Sequence, residues 1–210
     1  MIPIVPLFES RIITKENLNK PTMLKVLNMY GKPESSFRPG TIIHVNNIMQ
    51  TNYSYKLSEP IGKNFDSKFN PELTPRQMLE RGIFEGKYCN DQILEFPKEW
   101  FLTALKNGKL SPERPNHKVN FMGVRSRQKL GIWKANNWIY GNDLRGWFEW
   151  YCRYYLGRRD PTVDKKQIGR HNGIKRFIGA LVKECKKGDM SCRPVKRQLL
   201  TNWGYDATKY

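Results

Sequence analysis

Apolar positions recur at helical spacing most clearly in the last seventy residues. In NDLRGWFEWYCRYYLG, Leu144, Trp147, Phe148, Tyr151, Cys152, Tyr155 and Leu156 stand three or four apart, one face of a helix capped by Asn142 or Asp143. A second run follows the cap and first-turn proline Asp160-Pro161. Its regular part is Ile174, Phe177, Ile178, Leu181, Val182 and Cys185, and Gly188 closes it. SCRPVKRQLLTNWGYD then predicts a short final helix with Val195, Leu199, Leu200 and Trp203 apolar.

Upstream the elements are shorter. Thr74, Pro75 and Gln77 write the start of a helix that stops at Gly82. FPKEWFLTALKNG predicts a helix with Trp100, Phe101 and Leu105 on one face, and SRQKLGIWKANNWI another with Leu130 and Trp133 inward. Before residue 74 the pattern is weaker. A helix is expected near Met23 to Met29, ended by Gly31 and Pro33, and TIIHV (41–45) and NYSYKLSEP (52–60) read as two short strands able to pair. The expected fold is mainly α, a compact helical domain over 74–210 with a short β-hairpin or irregular N-terminal segment over 1–73.

Composition adds the partner class. The 210 residues hold 37 Lys and Arg against 19 Asp and Glu, a formal charge of +18. Such a chain draws polyanions by counterion release, and nucleic acid is the commonest of them. Residues 141–210 carry 16 of these cations and 7 of the acids, so the C-terminal helical region is the denser cation. No stretch approaches the length of apolar sequence a bilayer crossing needs, and the apolar opening MIPIVPLF is broken by two prolines without a basic segment before it, a poor secretory signal. The expectation is an intracellular protein with reduced thiols at Cys89, Cys152, Cys185 and Cys192.

Three constellations carry candidate chemistry. In RGWFEWYCRYYLGRR (145–159) the inner stripe is expected to be core, while Trp150 and Tyr154 fall off it and are candidates to stack on bases. Arg145, Glu149 and Arg153 share the polar side, where Glu149 can pair with both arginines. The second constellation is the pair of helices around Gly188, with the general form of a helix-turn-helix. Arg193, Lys196 and Arg197 begin its second helix, where such motifs read DNA, so DNA is favoured over RNA. The third is GRRDPTVDKKQIGRHNGIKR (157–176), where Arg158, Arg159, Lys165, Lys166, Arg170, Lys175 and Arg176 are expected on phosphates.

No cofactor or metal site is expected. Cys185 and Cys192 lie outside zinc-knuckle spacing, and only with His171 and Cys152 would they make four ligands. No Walker loop, GxSxG elbow, HExxH or deaminase signature is present. The alternative to a binding protein is a nucleic-acid-processing enzyme, a nuclease or glycosylase with its acid drawn from Glu149, Asp160 or Asp164. A further alternative is a structural component of a ribosome or virion, whose arm at 1–73 orders only in the particle.

The aromatic–arginine run, with GIFEGKY at 82–88 and CKKGDMSCRPVKRQLLTNWGYD at 185–206, resembles a family of proteins of eukaryotes and large DNA viruses. The resemblance covers about residues 74–206 and implies a compact module ending near Tyr205. No activity attaches to that family, so it implies no catalytic or binding residue.

Overall fold

Thr74 opens the helix its sequence announces. Its hydroxyl accepts from the Gln77 N–H, the Gln77 side chain returns to the Thr74 N–H, and α2 (Pro75–Arg81) follows. The computed structural model, which describes residues 12–210, holds eight α-helices among them, and side-chain caps from Asn19 and Asp160 open two of the others. The eight are α1 (Lys20–Tyr30), α2, α3 (Lys98–Lys106), α4 (Leu130–Ala135), α5 (Trp147–Leu156), α6 (Pro161–Ile174), α7 (Arg176–Glu184) and α8 (Pro194–Asn202). The reading of MIPIVPLF falls outside the described residues. Among those described, no helix is long and apolar enough to cross a membrane.

The single sheet is a hairpin. β1 (Ile42–Val45) pairs antiparallel with β2 (Tyr53–Lys56), Ile43 opposite Tyr55 and Val45 opposite Tyr53. Ile43, Val45 and Tyr55 face inward and alternate with exposed residues, as period-two patterning requires.

One core holds the chain together. It takes Ile13, Met23, Leu27, Phe37, Leu57 and Phe69 from the segment expected to be an irregular arm, and Phe101, Phe148, Tyr151 and Leu156 from the helices. Residues 12–73 are therefore part of the same packed body. The seam is hydrogen-bonded: the N–H groups of Ser58 and Glu59 reach the Gly157 carbonyl at 2.9 and 3.1 Å, and that of Gly62 reaches Tyr155 O at 2.7 Å. Gly157 has φ +115°, and a Cβ there would stand 2.0 Å from Glu59 O, so only glycine lets the two segments touch. A smaller cluster, Leu181, Leu200, Tyr205 and Ala207, ties α7 to α8, and Trp203 packs against both cores.

Three local expectations are corrected. α5 starts at Trp147 with Gly146 as its cap, because the carboxylate of Asp143 is taken by arginines and residues 140–146 form tight turns. The helix expected to run on from Asp160 breaks at Lys175, just after the weak helix formers Asn172 and Gly173. Cys185 and Cys192 form a disulfide that staples the loop between α7 and α8, and only Cys89 and Cys152, both buried, are free.

Candidate nucleic-acid interface

α5 is buried all round. Its Tyr155 is half-buried, and the remaining residues are inside. Trp150 is 0 % exposed and Tyr154 2 %, because residues 65–69 lie over the flank on which they stand. The Phe69 ring meets Trp150, Tyr151 and Tyr154 edge-on with centroids 5.2, 5.5 and 5.4 Å away. Trp150 Nε1 donates to Asp164 at 2.7 Å, and the Tyr154 hydroxyl accepts from the Asp66 N–H at 2.9 Å. The expectation that these two rings stack on bases is corrected: they are core.

The polar side of α5 faces inward too. Arg153 donates to Glu95 at 2.6 Å and to Asp143 at 3.1 Å, and stands 3.4 Å from Glu149. Arg145 grips Asp91 with two nitrogens at 2.7 Å each, and Arg158 grips Asp143 at 2.8 and 2.7 Å. Three guanidinium groups thus share the interior with four carboxylates. Burial pushes the Glu149 carboxyl above its ordinary range, with Arg153 pulling it back, which eases the excess of negative charge. Glu149 pairs with both arginines as expected, but inside the protein. Asp160 and Asp164 work at the start of α6: Asp160 caps Val163 N, and Asp164 accepts from Asp160 N. None of these carboxylates opens onto the cleft described below, so the acids named for an enzyme have structural partners.

The expected phosphate row separates into three groups. Arg158 and Arg197 are buried, at 4 % and 0 % exposure. Arg197 donates to the carbonyls of Cys192, Ala207, Tyr210 and Asp189, closing the C-terminus onto α8. Arg159 is half-buried, lies 3.9 Å over the Tyr154 ring and binds the carbonyls of Lys63 and Asn64. These three are corrected from phosphate ligands to internal ties. Arg193 and Lys196 both reach Glu184, at 2.8 and 2.7 Å, so one carboxylate offsets part of the second row. Lys165, Lys166, Lys175 and Arg176 remain exposed, and none has a carboxylate within ion-pair distance among the described residues.

Arg170 and Arg176 share a cleft. It lies between the 125–142 segment and helices α6 to α8, encloses about 510 Å³, and is lined by Trp133, Trp138, Trp147 and Trp203 together with those two arginines. Cation–ring contacts adjoin it at Arg170. Lys166 Nζ is 4.8 Å from the Tyr140 centroid, and Arg170 lies 5.6 Å from Tyr140 and 5.3 Å from Trp203. Arg170 Nη1 also donates to Trp138 O at 2.8 Å, fixing the far wall. Trp133 rests on Gly146, where a Cβ would meet its ring at 2.9 Å. Behind the cleft, His171 is sandwiched between Trp147 and Tyr205 and is fully buried. Burial lowers its pKa to about 4, so it is neutral at physiological pH. With Cys185 and Cys192 bonded to each other, the four considered zinc ligands are not brought together.

The 125–142 segment lines the cleft, which periodicity alone did not reveal. Leu130, expected inward, is exposed, and Trp133 is half-buried toward the cleft. A signal is present in the sequence: from Arg114 to Asn142 it holds Arg114, Lys118, Arg125, Arg127, Lys129 and Lys134 and no acid. The stretch 165–183 likewise has six Lys and Arg without one Asp or Glu. The cleft runs between these two acid-free stretches. Nearby, burial lowers the Lys87 pKa and the charge of Arg127 adds to this, while Glu113 and Asp91 pull it back. The chain matches no protein-family model, no curated protein and no solved structure.

Proposed function

We propose that the protein binds nucleic acid through the cationic face formed by α6, the start of α7 and the 125–134 segment. The observation that carries this reading is the exposed, unneutralised set Lys165, Lys166, Lys175 and Arg176, of which Arg176 lines, with Arg170, an aromatic cleft without a carboxylate in its lining; Arg125, Arg127 and Lys129 are exposed on the segment whose Ser126, Gln128 and Trp133 line the other side. A surface of this kind favours a polyanion because each phosphate neutralised releases a condensed counterion. The preference for DNA rested on Arg193, Lys196 and Arg197. Since two of these share Glu184 and the third is buried, the reading rests on the α6–α7 face and extends to either nucleic acid.

The experiment is a fluorescence-anisotropy titration of labelled oligonucleotides at several salt concentrations, with wild type and the variant K165E/K166E/K175E/R176E. Binding should weaken steeply with salt. In the variant the logarithmic salt slope should be shallower by about one unit for every phosphate that is no longer neutralised. The four side chains are exposed, so the variant should keep its thermal midpoint. Wild-type affinity that does not respond to salt, or a variant that binds as well as wild type, would remove the proposal.

A further inference from the structure

We infer that the tryptophan cleft receives an unstacked base, so that the ligand bound best is a single-stranded nucleic acid. The inference rests on the nucleic-acid reading above and narrows its substrate class.

The lining decides what the cleft accepts. It offers indole rings from Trp133, Trp138 and Trp203, with Trp147 all but buried, and two guanidinium groups, and it includes neither Asp nor Glu. Aromatic cages for quaternary ammonium ions depend on ring faces attracting a cation, and Arg170 and Arg176 would repel one here. An anionic or neutral ligand with a flat π-system fits both halves of the lining. At about 510 Å³ the space also lies in the range of small-ligand sites, about 300–1,000 Å³, large enough for a base with its sugar.

The polar groups suit the edge of a base. Gln128 and Asn202 bring side-chain amides to the lining, and Ser126 a hydroxyl. Arg176, exposed at the rim, is placed for the adjoining phosphate.

Strandedness follows from geometry. A base inside a duplex has both faces covered by its neighbours, so only an unpaired or extruded base can lay a face on an indole. On one wall Trp203 is held by the buried Trp147 at 4.8 Å, which is itself stacked on His171. Trp133 and Trp138 stand on the opposite wall, Trp138 at 36 % exposure. A base entering between these walls would be stacked in the manner of single-strand-binding grooves.

The probes are oligothymidylate and oligouridylate of about 12 nucleotides, a length within the range such sites cover, and a duplex of equal length. Each is titrated into the full chain while tryptophan emission is followed. Quenching on adding either single strand is expected, with affinity at least tenfold above that for the duplex at the same salt. Trp138→Ala should weaken the single strand by roughly 5- to 150-fold, the equivalent of about 1–3 kcal/mol for one stacked base, and leave duplex binding unchanged. Because Trp138 is a surface ring, this variant should fold, and its circular dichroism and thermal midpoint report whether it has. Asn202→Ala gives an independent reading of the base edge. Equal affinity for single strand and duplex, with no change in emission, overturns this inference and leaves the proposed function standing. Absence of binding to every probe at low salt overturns both.

Discussion

Arg158 and Asp143 face each other as a bidentate pair, their four polar atoms joined at 2.8 and 2.7 Å, with both side chains inside the protein. Asp143 also accepts from Arg153, so one carboxylate holds the end of α5 and the chain after it. Removing one partner of a buried pair costs about 3–5 kcal/mol when the charge is left alone, and Arg153 still holds Asp143 here, so the loss lies toward the lower end. Arg158→Ala should therefore lower the unfolding free energy by about that much, seen as a lower urea midpoint. Its folded fraction should bind oligonucleotide as wild type does. A variant of full stability and diminished affinity would return Arg158 to the phosphate-binding surface.

His171 sets an acid limit. Its folded pKa of about 4 lies below the 6.5 of the free side chain, so between these values the unfolded chain binds more protons. Stability present above pH 6.5 is lost as pH falls toward 4, by about 2–3 kcal/mol at pH 4.5. His171→Phe keeps a ring between Trp147 and Tyr205 and removes the titration. Urea midpoints at pH 7 and 4.5 should fall less in the variant. Equal falls would assign the acid sensitivity to other groups.

Gly157→Ala should be more harmful than Gly108→Ala, although both glycines have positive φ. At Gly108 a Cβ meets nothing within 4 Å, and the substitution costs the backbone strain alone, about 1 kcal/mol. At Gly157 the added carbon strikes Glu59 O, and the seam to residues 58–62 must open, for a total above roughly 2–3 kcal/mol. Thermal midpoints of the two variants, measured side by side, decide it.

The thiols should titrate in a fixed order. Cys89 and Cys152 are each 1 % exposed, and burial pushes both up in pKa, so the native protein should not react with a thiol reagent. Two thiols should appear on unfolding and four after prior reduction. Reduction of Cys185–Cys192 should lower stability by about 2–3 kcal/mol on the loop-entropy account, seen as a lower urea midpoint. Four reactive thiols in the unreduced, unfolded chain would contradict the bond.

The sequence rendered the local elements well and the long-range ones poorly. The Thr74–Gln77 capping box, the helix ending before Gly31 and the β1–β2 hairpin were legible because each depends on residues a few positions apart. The burial of Glu149, Arg153 and Arg158 was not, because the groups that receive them, Glu95, Gln92 and Asp143, come together only in the fold. An apolar stripe on α5 implied water on the other side, whereas Phe69 and the residues around Glu95 cover it. In the candidate site, the basic α6 stretch was legible from composition. The cleft opposite it was not. Trp133 has the pattern of an ordinary inward residue of a short helix, and only the fold carries the 125–142 segment in front of Trp147 and Trp203.

The Gly157 seam has a consequence for how the chain is born. Its bonds join positions about a hundred residues apart: Ser58 Oγ and the Gly157 carbonyl are separated by 99. Pairings of such span form slowly and late. Phe69 thus leaves the ribosome long before Trp150, Tyr151 and Tyr154, the rings it packs on, while Met23 and Leu27 of α1 wait for α3. For that interval these apolar side chains stay open, and the nascent chain, most of whose net charge lies further on, depends on chaperones to stay apart from its neighbours.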